Sequence, residues 1–184
     1  RGLEYLEKAI ALAPDSVNIR TQLAIGHLAL GEEDQAIGEL QTAVDLDQGL
    51  LQADVLLVMT YLRNKDFESA LVAAEALKGK MPDSPVPDNL KGAAQFGKGD
   101  HRASRNSYAA ALVIQPDFLL AHLNLAQLDL VANDPAAAER RYRKVLSYDE
   151  DNLKALLALA VLANHAGRAD EAEKWRSEEH TSEL

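Results

Sequence analysis

The sequence predicts an all-α solenoid of antiparallel helix hairpins. Three observations carry this: the same residue types recur every 34 residues, the composition favours helix, and turn-forming residues fall at one fixed point of each period. Pro14, Gln48, Pro82, Pro116 and Glu150 stand one period apart, and the three prolines mark places where a helix cannot easily continue. Ala36, Ala70, Ser104, Ala138 and Ala172 put a small side chain where the two helices of a hairpin must come close, and Gly2 extends that series upstream. Leu23, Leu57, Leu125 and Leu159 form a leucine column that Lys91 interrupts. Beside it runs a column of mostly small residues, Ala24, Val58, Gly92, Ala126 and Ala160.

The turns obey the same step. Gly31, Lys65, Gly99, Asn133 and Gly167 occupy the position between paired helices, and all but Lys65 readily accept a positive φ. Asp66, Asp100 and Asp134 follow three of these turns as N-caps, with Pro135 at a first helical position that needs no amide donor. The chain then divides into a partial repeat over 1–16, repeats over 17–50, 51–84, 85–118 and 119–152, and a partial repeat over 153–175. Residues 176–184 (RSEEHTSEL) resemble the translation of a sequencing adapter and are set aside from the fold. With Arg1 in place of an initiator, they lead us to expect a piece of a longer protein.

Composition excludes several function classes. The 184 residues are 47% hydrophobic and carry a net charge of −10, so the long-range field repels phosphate backbones and anionic lipid surfaces, and no nucleic acid partner is expected. Cysteine is absent, which removes disulfides, thiolate metal sites and a cysteine nucleophile. No apolar run approaches the roughly 20 residues of a membrane-spanning helix. The histidines (His27, His101, His122, His165 and His180) show no zinc-site spacing, and the nucleotide-loop and hydrolase-elbow signatures are missing. Gly97-Lys98-Gly99-Asp100 has phosphate-loop residue types without the frame and reads as a turn and cap. The run Arg140-Arg141-Tyr142-Arg143-Lys144 reads as a solvated helix face. We expect no catalytic residue, no metal and no cofactor.

The small-Leu-small, small-x-x-x-aromatic and terminal-proline positions resemble the tetratricopeptide repeat (TPR) family. Ser104, Tyr108, Ala111 and Pro116 give one good instance, while Ala138 and Tyr142 give another in which Val145 and Glu150 depart from the usual alanine and proline. The resemblance implies a right-handed superhelix in which the first helix of every repeat lines a concave groove for a protein or peptide ligand. Transferred position by position, it assigns Ile25, Leu28, Val55, Met59, Leu62, Asn89, Phe96, Leu123, Gln127, Leu130 and Val161 to that groove. A carboxylate clamp is not expected, since Arg63 and Lys154 are the only basic residues at groove positions.

Asn89-Leu90-Lys91-Gly92-Ala93, Gln115-Pro116-Asp117-Phe118, the stretch from Leu123 to Leu130 and that from Leu153 to Ala160 resemble, more narrowly, the bacterial PEP-CTERM system TPR lipoprotein. That resemblance implies a scaffold of the cell envelope or periplasm, connected with exopolysaccharide production and protein sorting and tethered by a lipid anchor upstream. The alternatives are a cytoplasmic co-chaperone or regulatory module, and the solenoid region of a larger glycosyltransferase-type enzyme.

Overall fold

The computed structural model describes residues 2–47, 49 and 51–182, with side chains to 175; Arg1, Gln48 and the side chains of the adapter-like tail lie outside the described residues. All described regular structure is helical. After α1 (Gly2–Leu12), first helices α2 (Val17–Leu30), α4 (Leu51–Arg63), α6 (Pro85–Gly97), α8 (Leu119–Val131) and α10 (Leu153–His165) begin 34 residues apart. Second helices α3 (Glu33–Leu46), α5 (Phe67–Lys80), α7 (His101–Ile114), α9 (Pro135–Leu146) and α11 (Ala169–Ser182) keep the same step.

The turn inside each hairpin is one motif repeated. Gly31, Lys65, Gly99, Asn133 and Gly167 all adopt positive φ, at 77°, 58°, 82°, 58° and 72°. The next residue donates its amide back into the helix just ended: Glu32 to His27, Asp66 to Tyr61, Asp100 to Gln95, Asp134 to Asp129 and Arg168 to Ala163, at 2.8–2.9 Å. Left-handed geometry at this point lets the chain reverse while satisfying carbonyls the helix end would leave orphaned. Lys65 takes the conformation despite its Cβ, which identifies the motif as a requirement of the fold at every turn.

Side-chain capping follows where the sequence supplies it. Asp66 accepts the Ser69 amide at 3.1 Å, Asp100 that of Ala103 at 3.0 Å and Asp134 that of Ala137 at 2.9 Å. Asn152 does the same for Ala155, a cap the sequence reading did not single out. Glu32 caps nothing; its longer side chain turns back to His27 Nδ1 at 2.7 Å.

By internal packing the chain forms two units, Arg1–Ser104 and Arg105–Leu184. In the first, α2 packs on α3 and α4 on α5, while α1, α3 and α5 each pack on the first helix that follows. Ala24, Ala36, Leu40, Ala43, Val58, Ala70 and Leu77 are wholly buried there. Each buried leucine contributes roughly 1.5–3 kcal/mol, and the alanines act by letting backbones approach. Ser104 fills its small-residue position and also donates to the Gly92 carbonyl at 2.8 Å, joining α7 to α6 by a buried hydrogen bond. Lys91, at the interrupted leucine position, is partly exposed and pairs with Glu75 at 2.7 Å. In the second unit α8 packs on α9, α9 on α10 and α10 on α11, around Leu123, Ala126, Ala138, Tyr142, Val145, Ala155 and Leu159.

Candidate functional site

The first helices set which side chains are offered to a ligand, because one face of each is committed to the core. The residues assigned to the groove differ in how much surface they offer. Ile25, Met59, Gln127 and Val161 share one position, and all four are exposed, at 36% for Ile25, 52% for Met59 and 54% for Val161. Leu130 is exposed at 40%, with neighbouring Val131 at 52%. Leu28, Val55 and Leu62 are half-buried and pack on the core of the first unit. Phe96 is half-buried with its ring 5.4 Å from that of His101. Asn89 and Leu123 are buried, at 7% and 8%, and present little surface. The same repeat position carries half-buried Val55 and exposed Leu157, at 42%, so its burial differs from repeat to repeat.

In the second unit two of the assigned residues line a common cavity. Leu123, Asn124 and Gln127 of α8, Tyr142 of α9, and Lys154 and Ala158 of α10 enclose about 340 Å³. Its wall mixes an apolar floor with two carboxamides and an ammonium. Carboxamides both donate to and accept from a peptide bond, and an ammonium suits a carbonyl or carboxylate. Exposed Leu157 and Val161 continue along α10. Gly97, also at a repeat position turned toward the expected groove, is tied to packing instead: a Cβ there would lie 2.2 Å from the Phe67 ring.

Charged groups elsewhere are organised as ion pairs. Asp54, 5% exposed, receives Lys80 on both carboxylate oxygens at 2.7 and 3.0 Å. Asp129, 4% exposed, receives Arg105 on one oxygen and Arg141 on the other, each at 2.6 Å. Glu139 is held by Arg168 and Arg143, whose hydrogen bonds bring its carboxyl down to about 2. Both guanidiniums are raised by Glu139 in turn, and Glu171 joins them. Burial, helped by the charge of Asp129, pushes the Tyr142 phenol up. The basic run on α9 is therefore only partly a solvated face: Arg141 and Arg143 are engaged, while Arg140 and Lys144 are exposed. An aspartate inside each of the apolar stretches 51–63 and 119–131 was the sequence signal for the two buried pairs.

Among the described residues no cluster of three histidine or acidic groups could hold a metal, and no helix is long and apolar enough to cross a membrane. Residues 129–175 match the family model described as tetratricopeptide repeat. The chain is 39% identical over 75 residues to cellulose synthase operon protein C of Xanthomonas axonopodis pv. citri, a match covering 41% of this chain and 5% of that protein. It is 23% identical over 173 residues to tetratricopeptide repeat protein 8 of Caenorhabditis elegans, covering 93% of this chain and 34% of that one. The chain thus spans only a minor part of the length of these curated relatives. Among solved structures, a thermophilic TPR protein of Thermus thermophilus superposes with a TM-score of 0.72 at 20% identity, covering 91% of each chain. Constant hairpin spacing, a left-handed turn in every period and the shared fold make this chain a solenoid of tetratricopeptide-type hairpins, of which residues 129–175 match the tetratricopeptide repeat family.

Proposed function

We propose that the chain is a non-catalytic scaffold that holds a segment of a partner polypeptide against its first helices. The observation that carries this reading is the cavity between α8 and α10, where Leu123, Gln127 and Lys154 meet, with exposed Leu157 and Val161 beside it. Exposed apolar side chains on successive helices are costly in water and suit an apolar or amphipathic ligand segment. The carboxamides of Asn124 and Gln127 would then take backbone groups of the bound segment. In the first unit Ile25 and Met59 offer a similar apolar strip.

Cellulose synthase operon protein C is named for a polysaccharide-producing operon. That likeness, with the resemblance to the PEP-CTERM system lipoprotein, supports a scaffold of the cell envelope acting in exopolysaccharide export or protein sorting. A full reading frame encoding a signal segment and a lipid-accepting cysteine would support this placement; a frame without them would oppose it.

The binding reading is tested by panning a displayed peptide library against the full chain and measuring the affinity of the selected peptides. Val161→Glu together with Gln127→Glu should weaken them at least about tenfold with helical circular dichroism unchanged. Unaltered affinity in that double variant would overturn the placement.

A further inference from the structure

A second cavity of the Arg105–Leu184 unit has a different chemistry. His122 of α8 and Ala137, Arg140, Arg141 and Lys144 of α9 line about 350 Å³. Four of the five side chains are basic or can become so, in a chain whose overall charge is −10. Long-range repulsion of anions is screened beyond a Debye length of about 10 Å, so inside such a cavity the local groups decide.

The local balance is positive. Arg105 and Arg141 share the single carboxylate of Asp129, leaving that triad with one cation in excess. Arg140 has no ion-pair partner among the described residues. The Lys144 ammonium rests 4.5 Å from the centre of the Tyr148 ring, a contact that leaves its charge unneutralised. Glu139, the acidic residue next to Arg140 in the chain, is already shared between Arg143 and Arg168.

His122 supplies the second, independent observation. It is 8% exposed, and its Nε2 lies 2.9 Å from the Pro116 carbonyl, so that nitrogen carries the proton and donates. Its Nδ1 is buried with no hydrogen-bond partner among the described residues. A buried ring nitrogen left unpaired costs about 1–3 kcal/mol, which a ligand hydroxyl would recover. In the neutral ring Nδ1 is an acceptor, so the matching ligand must bring an O–H donor as well as anionic oxygens. Hydrogen phosphate has both; sulfate near neutral pH has only acceptors.

We propose that this cavity binds a phosphoryl oxyanion, free hydrogen phosphate or a phosphate monoester. Arg140 and Lys144 hold the anionic oxygens, Arg141 contributes to the field from its place on Asp129, and His122 Nδ1 accepts the phosphoryl hydroxyl. Nδ1 is screened from solvent, with the Tyr148 ring 5.9 Å from the imidazole and the Lys144 ammonium on that ring, so the anion reaches it only as those side chains shift. No group is transferred and no bond broken.

The test is a titration of the isotopically labelled full chain with inorganic phosphate, sulfate and chloride at equal ionic strength, following the His122 imidazole and the Ala137 and Arg140 amides by NMR. Phosphate should give a saturable shift at all three positions, with sulfate at least about tenfold weaker and chloride without effect. The double variant Arg140→Gln, Lys144→Gln should lose at least about tenfold in phosphate affinity with unchanged helical circular dichroism, and His122→Phe should narrow the gap between phosphate and sulfate. O-phosphoserine binding as well as inorganic phosphate would assign the site to monoesters, and weaker binding would assign it to the free ion. Phosphate and chloride acting alike, or the double variant binding phosphate as the unmodified chain does, would overturn the proposal.

Discussion

Lys80, at the end of α5, reaches back to α4 and places its ammonium 2.7 and 3.0 Å from the two carboxylate oxygens of Asp54. The Asp54 side chain is almost sealed from water while that of Lys80 keeps about a fifth of its surface exposed, so the two residues differ in what they lose when the pair is broken. Removing the lysine strands a buried anion, whereas removing the aspartate leaves a cation that can turn to solvent. Lys80→Met should therefore destabilise the first unit by about 3–5 kcal/mol and Asp54→Ala by about 2 kcal/mol, read from urea unfolding. Equal losses would show that Asp54 gains no protection from its partner.

Lys65 is the only bulky side chain among the five positive-φ turn residues. Left-handed geometry costs a Cβ-bearing residue about 1 kcal/mol. Lys65→Gly should raise stability by about that amount and Gly167→Ala lower it comparably, both seen as shifts in denaturation midpoint. Destabilisation by Lys65→Gly would mean that the lysine makes a compensating contact.

The carboxyl of Glu139 is lowered to about 2 by its hydrogen bonds from Arg168 and Arg143. A depressed carboxyl adds stability that is fully present above its ordinary value of 4.5 and lost as pH falls toward 2. Glu139→Gln should therefore be less stable than the unmodified chain at neutral pH, with the gap closing between those two values. Denaturation at a series of pH values checks this; a gap independent of pH would contradict it.

Gly97 packs so close to Phe67 that a methyl group there must displace the aromatic ring. Gly97→Ala should cost about 1–3 kcal/mol even though the residue itself is exposed, and pairing it with Phe67→Leu should recover part of the loss in thermal unfolding. Additive losses in the pair would deny the contact.

Much of the fold was legible because backbone requirements recur with the period. Left-handed turns need glycine or asparagine, close helix contacts need alanine or serine, and both leave marks that a single sequence shows. Lys65 was the exception by residue type and not by position, since the turn imposed its geometry on it. The site was less legible. Repeat position alone distinguishes helix faces coarsely: Asn89 is only 7% exposed, and Leu123, at 8%, meets a ligand only as part of a cavity wall. Long-range pairs were hidden for another reason: Asp129 meets Arg105 and Arg141 only after folding, and nothing in the run 140–144 distinguishes the engaged Arg141 from the exposed Arg140.

The central functional claim is that ligand polypeptide lies on the first helices. Methyl-labelled full chain titrated with a library-selected peptide measures this most directly. The largest shifts are expected at Met59, Leu157 and Val161, with Val72 and Val113 on the second helices unmoved; shifts confined to Val72 and Val113 would place the ligand on the other helices.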